Sequence, residues 1–170
     1  MHKKAYKIRV AQSTDLAFLP EIEEAASILF APVTYLGLGE LDLASEHVDL
    51  DNEYVWVVVD GQDRPVGFAI AHFLGEAVHL HELDVHPDHG RQGLGRQLIE
   101  AVGSWARAQN KKAITLTTFQ DVPWNGPYYG RLGFHILKET EITPELKAVL
   151  QEEMEAGLPM QHRICMRLDL

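Results

Sequence analysis

Three stretches of this sequence carry residue types that could do chemistry. The first is Leu83-Asp84-Val85-His86-Pro87-Asp88-His89-Gly90-Arg91-Gln92-Gly93-Leu94-Gly95-Arg96. It runs from a strand-like end through a glycine-rich turn into an amphipathic helix. Such a turn leaves several backbone N–H groups without helical partners, all pointing at one place. The helix N-terminus adds partial positive charge, so the location suits a phosphate or pyrophosphate. Gly90, Gly93 and Gly95 let the main chain approach an anion, and Arg91 and Arg96 can supply charge-assisted bonds. The pattern is not a P-loop, because no Gly-Lys-Ser/Thr follows at the required spacing. Nor does it open the first βαβ unit of the chain with an acid about 20 residues later, as a dinucleotide fold needs. Taken alone, a glycine-rich turn is an ordinary strand-to-helix corner. Its context decides.

The second stretch, His79-Leu80-His81-Glu82-Leu83-Asp84-Val85-His86, leads into the first. Strand alternation places His79, His81, Leu83 and Val85 on one face, with Leu80, Glu82 and Asp84 on the other. Imidazoles can relay protons near neutrality, although any one of these histidines alone is more simply a hydrogen-bonded sheet residue. His86 and His89 fall in the loop. His79, His81 and Glu82 do not make a metal set, since only two share a face and no third ligand joins them. The third stretch, Trp124-Asn125-Gly126-Pro127-Tyr128-Tyr129-Gly130-Arg131-Leu132-Gly133-Phe134, reads as a short helix packing its aromatics on a sheet.

The elements that must position these residues can be read from periodicity. Tyr6 to Val10 alternates as a strand. Ser13, Thr14 and Asp15 are N-cap types, and Leu19, Ile22, Ala26 and Leu29 recur at helical spacing, with Pro20 in a first turn or dividing a short turn from the main helix. Residues 31 to 53, with Pro32, Gly37 and Gly39, read as loop plus short helix. Tyr54 to Val59, Val66 to Phe73 and Ala77 to Val85 read as three strands in an antiparallel meander, with turns at Asp60-Gly61 and Gly75. From Gly93 the period becomes helical, with Leu94, Leu98, Ala101, Val102 and Trp105 on one face and Asn110 as a stop. Lys112 to Phe119 returns to a strand, expected parallel to the Ala77 strand through a right-handed crossover. Residues Gly126 to Leu132 make a short helix and a strand starts at Phe134. Thr143 caps a helix that has Leu146, Val149, Leu150 and Met154 on one face and Gly157 as its stop. His162 to Leu168 is the last strand. The order implies an α/β (α+β) chain with a mixed sheet and helices packed on it.

A length of 170 residues fits one domain, 1–170, better than two. With 15 Lys plus Arg against 25 Asp plus Glu, the formal charge is −10, which argues against nucleic acid as a partner. Cys165 is the single cysteine, so neither an intrachain disulfide nor a cysteine zinc cluster can form. The basic start MHKKAYKIRV leads into no apolar signal region, and charges interrupt every later apolar run before membrane-spanning length. A cytoplasmic protein without membrane contact is the default expectation.

The first stretch resembles the acyl-CoA-binding motif of the GNAT superfamily of N-acetyltransferases. That pattern is Gln/Arg-x-x-Gly-x-Gly/Ala after a Leu-x-Val strand end and a proline. Leu83-Asp84-Val85 and Gly93-Leu94-Gly95 match it, while Gly90 replaces the first Gln or Arg and has Arg91 beside it. The third stretch resembles the family's Asn-x-x-Ala-x-x-(Phe/Tyr)-Tyr-x-(Lys/Arg)-x-Gly-Phe region, with Tyr129 to Phe134 matching closely and Asn125 nearer the tyrosines than is usual. With the element order agreeing as well, the resemblance covers nearly the whole chain.

The resemblance implies a mostly antiparallel sheet of about six to seven strands, with a splayed parallel pair at the cofactor cleft. It implies acetyl-CoA as cosubstrate and no metal. The pantetheine arm would lie along Leu83, Asp84 and Val85. The pyrophosphate would sit on Gly90, Arg91, Gln92, Gly93, Leu94, Gly95 and Arg96, with Asn125 and Tyr128 also on the cofactor. Tyr129 occupies the position of the acid that protonates the departing thiolate. For the base, the strand offers His81, then His79, then Glu82. The run His-Leu-His-x-Leu-x-Val-His is also similar to the matching strand of the serotonin (arylalkylamine) N-acetyltransferases, where a histidine pair serves deprotonation. The acceptor would be a small-molecule or peptide amine, met by residues 30 to 51 with Tyr35, Glu40, Asp42, Glu46, Asp49 and Asp51. A non-catalytic acyl-CoA-binding or regulatory domain and an acyltransferase with a longer donor are the alternatives. Homodimers are common in the superfamily, and the last strands could mediate one.

Overall fold

Runs rich in β-branched residues become strands, as their side chains favour a pleated, half-buried surface. They are β1 (Lys7–Val10), β2 (Tyr54–Val59), β3 (Pro65–Leu74), β4 (Ala77–Val85), β5 (Ala113–Phe119), β6 (His135–Ile136) and β7 (Arg163–Asp169). Among the described residues four α-helices accompany them: α1 (Leu19–Ser27), α2 (Leu94–Ala108), α3 (Gly126–Arg131) and α4 (Pro144–Glu155). The computed structural model describes residues 5–29, 48 and 50–170. The strands form one mixed sheet in the order β1-β2-β3-β4-β5-β7-β6, mostly antiparallel with a single parallel pair, β4 and β5. That is the sheet expected from the sequence. Among the described residues no helix is long and apolar enough to cross a membrane. The loop and short helix expected between residues 31 and 53 lie mostly outside the described residues.

The described residues fall into two compact units. Residues 5–29, 48, 50–72 and Leu80–Trp105 form the first; Phe73–His79 and Ala106–Leu170 form the second.

In the first unit β1 pairs antiparallel with β2 from Lys7↔Val59 to Val10↔Trp56, and β2 pairs antiparallel with β3. Leu19 and Ile22 of α1 pack on Val55, Val57, Val59, Phe68 and Ile70. Arg9 locks the entry to α1 with a two-pronged pair to buried Asp15, at 2.6 and 3.0 Å. Asp15 also accepts from the Gln12 N–H at 2.7 Å, closing the 3₁₀ turn that precedes α1. Pro20 sits in the first turn of α1, where its missing N–H costs nothing. Leu94, Leu98 and Val102 of α2 are buried, and Trp105 lies with its ring 4.3 Å from Tyr54 and 5.2 Å from Trp56.

In the second unit β4 pairs with β5 over three rungs, Ala77↔Ala113 to His79↔Thr115. Along its other edge β5 pairs with β7 over seven rungs, Ala113↔Asp169 to Phe119↔Arg163. The strand expected from Phe134 is reduced to the two residues of β6, with Phe134 itself buried ahead of it. Thr143 caps α4 by accepting from the Leu146 N–H at 3.3 Å, and Gly157 ends it at φ +91°. Leu146 packs with Leu137 and buried Cys165.

Met154 corrects the sequence reading, since it is 49% exposed instead of lining the apolar face of α4. At 3.6 residues per turn, position 153 falls within roughly 20° of Leu146, whereas position 154 is roughly 80° away. Glu153 therefore takes the inward place. It pairs with Arg163 at 2.6 and 3.2 Å and accepts a hydrogen bond from Thr117.

Candidate functional site

The glycine-rich turn leaves β4 through a short 3₁₀ turn, Pro87–His89. His86 caps it, its Nδ1 accepting from the Asp88 N–H at 3.2 Å. His89 shares a 3.0 Å hydrogen bond with the Tyr6 hydroxyl. Both loop histidines thus hold the approach to the turn in place. The Gly90 N–H closes back on the Pro87 carbonyl at 3.0 Å.

Two left-handed residues follow, Arg91 at φ +58° and Gly93 at φ +72°. For a residue with a Cβ this conformation costs about 1–2 kcal/mol, and such strain concentrates where function needs it. A Cβ on Gly93 would meet nothing within 4 Å, so this face of the turn is open. Leu94 is buried and anchors the start of α2, while the N–H groups of its first turn lack intrahelical acceptors. Arg91 and Gln92 are exposed. Arg96 is exposed and pairs with Glu100 at 2.8 Å, a surface contact weak enough to give way to a phosphate. An open ring of donors beside two guanidinium groups fits a pyrophosphate.

On β4, ahead of the turn, Glu82 and Asp84 share a hydrogen bond between their carboxyl groups. Burial, then the charge of Asp84, then that of Glu23 push the Glu82 carboxyl far above the usual carboxylate range. Asp84 is raised too, by burial first and by Glu23, while its bond to Glu82 pulls the other way. Glu23 is itself buried on α1. Sequence reasoning missed it, although Leu19, Ile22, Glu23 and Ala26 form one helical stripe and the acid stands inside it.

The folded pair holds a proton that the unfolded chain releases, so its contribution is complete below the ordinary value of 4.5 and is lost as pH rises toward about 9. Glu82→Gln is expected to raise the thermal midpoint at about pH 8, by an amount worth about 1–2 kcal/mol, and to change it little at about pH 5. Equal shifts at both pH values would contradict the shared proton.

The two strand histidines have different surroundings. His79 is 1% exposed, its Nδ1 lying 3.0 Å from the Thr115 hydroxyl. His81 is exposed, and its ring lies 6.0 Å from that of His72 on β3. His72 carried no signal in the sequence reading. Gly67 of β3 was missed as well: a Cβ there would stand 2.8 Å from the Asp84 carbonyl oxygen.

In the second unit, the Asn125 side chain accepts from the Thr118 hydroxyl at 2.6 Å. Its Nδ2 is buried with no hydrogen-bond partner among the described residues. An orphaned buried donor is costly, and a polar ligand group would satisfy it. Gly126 begins α3 because a Cβ there would lie 2.7 Å from the Gln120 carbonyl oxygen. The Tyr129 ring meets Tyr128 at 5.4 Å and Phe134 at 5.7 Å, both edge to face. The backbone of Tyr129 donates to Asn125 and accepts from Phe134.

The sequence model of the Acetyltransferase (GNAT) family matches residues 22–134. The chain belongs to this acetyltransferase family. The match runs from α1 to the end of the aromatic segment, so both signature stretches lie inside it. Solved structures share the GNAT fold. PaiA N-acetyltransferase from Thermoplasma acidophilum, in complex with coenzyme A, is 14% identical with a TM-score of 0.72, covering 98% of this chain and 99% of that one. The ribosomal-protein-S18-alanine N-acetyltransferase from Escherichia coli is 20% identical with a TM-score of 0.65, covering 97% and 94%. A Bacillus anthracis protein solved in complex with acetyl coenzyme A is 17% identical with a TM-score of 0.64, covering 98% and 99%.

Proposed function

We propose that this GNAT chain, taken as one domain over residues 1–170, moves an acetyl group from acetyl-CoA to a primary amine by direct attack in a ternary complex. The open turn at Gly93, with donors and guanidinium groups around it, carries the reading. In it the backbone of Leu83, Asp84 and Val85 takes the pantetheine arm as an added strand. The N–H groups from Gly90 through Gly95, with Arg91, Gln92 and Arg96, hold the pyrophosphate. Asn125, through its orphaned Nδ2, and Tyr128 complete the cofactor contacts.

The thioester supplies an activated carbonyl carbon. His81 takes the proton of the acceptor ammonium, because it is the exposed member of the strand pair. The freed nitrogen attacks, the C–N bond forms, the C–S bond breaks, and the Tyr129 phenol protonates the departing thiolate; the acylated nitrogen then gives up its second proton, which restores the phenol. Holding both substrates together provides much of the rate through proximity. His79, buried on Thr115, supports the strand without meeting substrate. Glu82, raised by burial, keeps its proton through neutrality and accepts one only at higher pH.

The acceptor is a small-molecule or peptide amine. Polyamines, amino acids, aminoglycosides, arylalkylamines and protein N-termini all satisfy this chemistry. The test is release of free coenzyme A thiol from acetyl-CoA in the presence of such an amine panel. Thiol release with N-acetylated product is expected for one class. Thiol release that is the same with and without every amine would overturn the reading.

A further inference from the structure

We infer that His72 is a positioning residue for His81 in the acetyl transfer proposed above, its ring restricting the His81 imidazole. The inference rests on that proposed function and names a residue on a different strand. Alternation puts His79 and His81 on one face of β4. In the structure His79 is closed into the sheet by Thr115, and the ring that meets His81 is that of His72, at a centroid distance of 6.0 Å and an interplanar angle of 53°. An exposed imidazole on a strand has wide rotamer freedom, and a second ring against it removes much of that freedom.

His72 takes no part in the bond changes; its ring only restricts the imidazole that does. The step is simple: a proton leaves the acceptor ammonium for a ring nitrogen of His81, and no other bond changes.

The test uses the full chain, with His72→Phe keeping a ring in place and His72→Gln removing it. Readouts are calorimetric binding of acetyl-CoA, and kcat and KM with an amine the wild type acetylates. In both variants acetyl-CoA affinity is expected to stay within about twofold. In His72→Gln kcat falls roughly tenfold or more, whereas His72→Phe, whose ring still restricts His81, keeps kcat within about threefold of the wild type. A folded His72→Gln variant that binds acetyl-CoA and keeps the wild-type kcat, or a His72→Phe variant as impaired as His72→Gln, would overturn the inference and leave the transferase reading standing. A wild type that neither binds acetyl-CoA nor acetylates an amine would instead overturn the reading on which the inference rests.

Discussion

Replacing Tyr129 by phenylalanine lowers kcat by about 10²- to 10⁴-fold, the range for losing a positioned general acid, and leaves acetyl-CoA affinity within about twofold. The substitution removes one oxygen and nothing else. The ring contacts with Tyr128 and Phe134 survive, as do the backbone bonds to Asn125 and Phe134. A thiolate leaving without a proton donor must be released as an anion, and that penalty falls on kcat. The defect should shrink when the acetyl donor carries a more acidic thiol, because such a leaving group needs less help. A variant with kcat within threefold of wild type would remove Tyr129 from the chemistry and leave it as a packing residue.

The second large effect is expected from a residue with no side chain. Gly67→Val would set a Cβ 2.8 Å from the Asp84 carbonyl oxygen, 2.8 Å from Val58 Cγ1 and 3.1 Å from Val85 Cγ2. Two of those neighbours belong to the end of β4, and a backbone carbonyl cannot swing aside as a flexible side chain can. Overpacking of this kind costs about 3 kcal/mol, the upper end of the usual range. In a chain of this length that lowers the thermal midpoint by roughly 2–4 °C per kcal/mol. The displaced segment is Leu83–Val85, which the proposed reading gives to the pantetheine arm. KM for acetyl-CoA should therefore rise together with the loss of stability. A stable variant with unchanged KM would show that this strand end is not under steric control.

Much of the fold was legible because its cues are local. The alternation of Tyr54 to Val59, the helical stripe of Leu94, Leu98 and Val102, and the Thr143–Pro144 start of α4 each state their structure within a few residues. What stayed hidden depended on distant neighbours. His79 and His81 look equivalent by alternation, yet the rungs of β4 with β5 end at His79↔Thr115, and burial differs on either side of that point. His72 becomes interesting only once β3 lies beside β4. Glu23 was visible as an acid in an apolar stripe, but what it would face was not. Met154 was misassigned by one helical position, since Glu153 could be read as an inward residue only with Arg163 and Thr117 in view. The acceptor segment, residues 30 to 51, lies almost wholly outside the described residues, so Tyr35, Glu40, Asp42, Glu46 and Asp49 remain a reading of sequence.

The central claim is that the open turn after β4 holds the pyrophosphate of acetyl-CoA, and calorimetric titration tests it most directly. The wild type and a variant with Gly93 and Gly95 both replaced by valine would be titrated with acetyl-CoA, with folding of each followed by circular dichroism. Valine at φ +72° is strained and projects into the open face of the turn. The account predicts micromolar binding by the wild type and a loss of at least about tenfold in the folded variant, equivalent to 1.4 kcal/mol or more. A folded wild type that does not bind acetyl-CoA, or a folded variant that binds it equally well, would contradict the account.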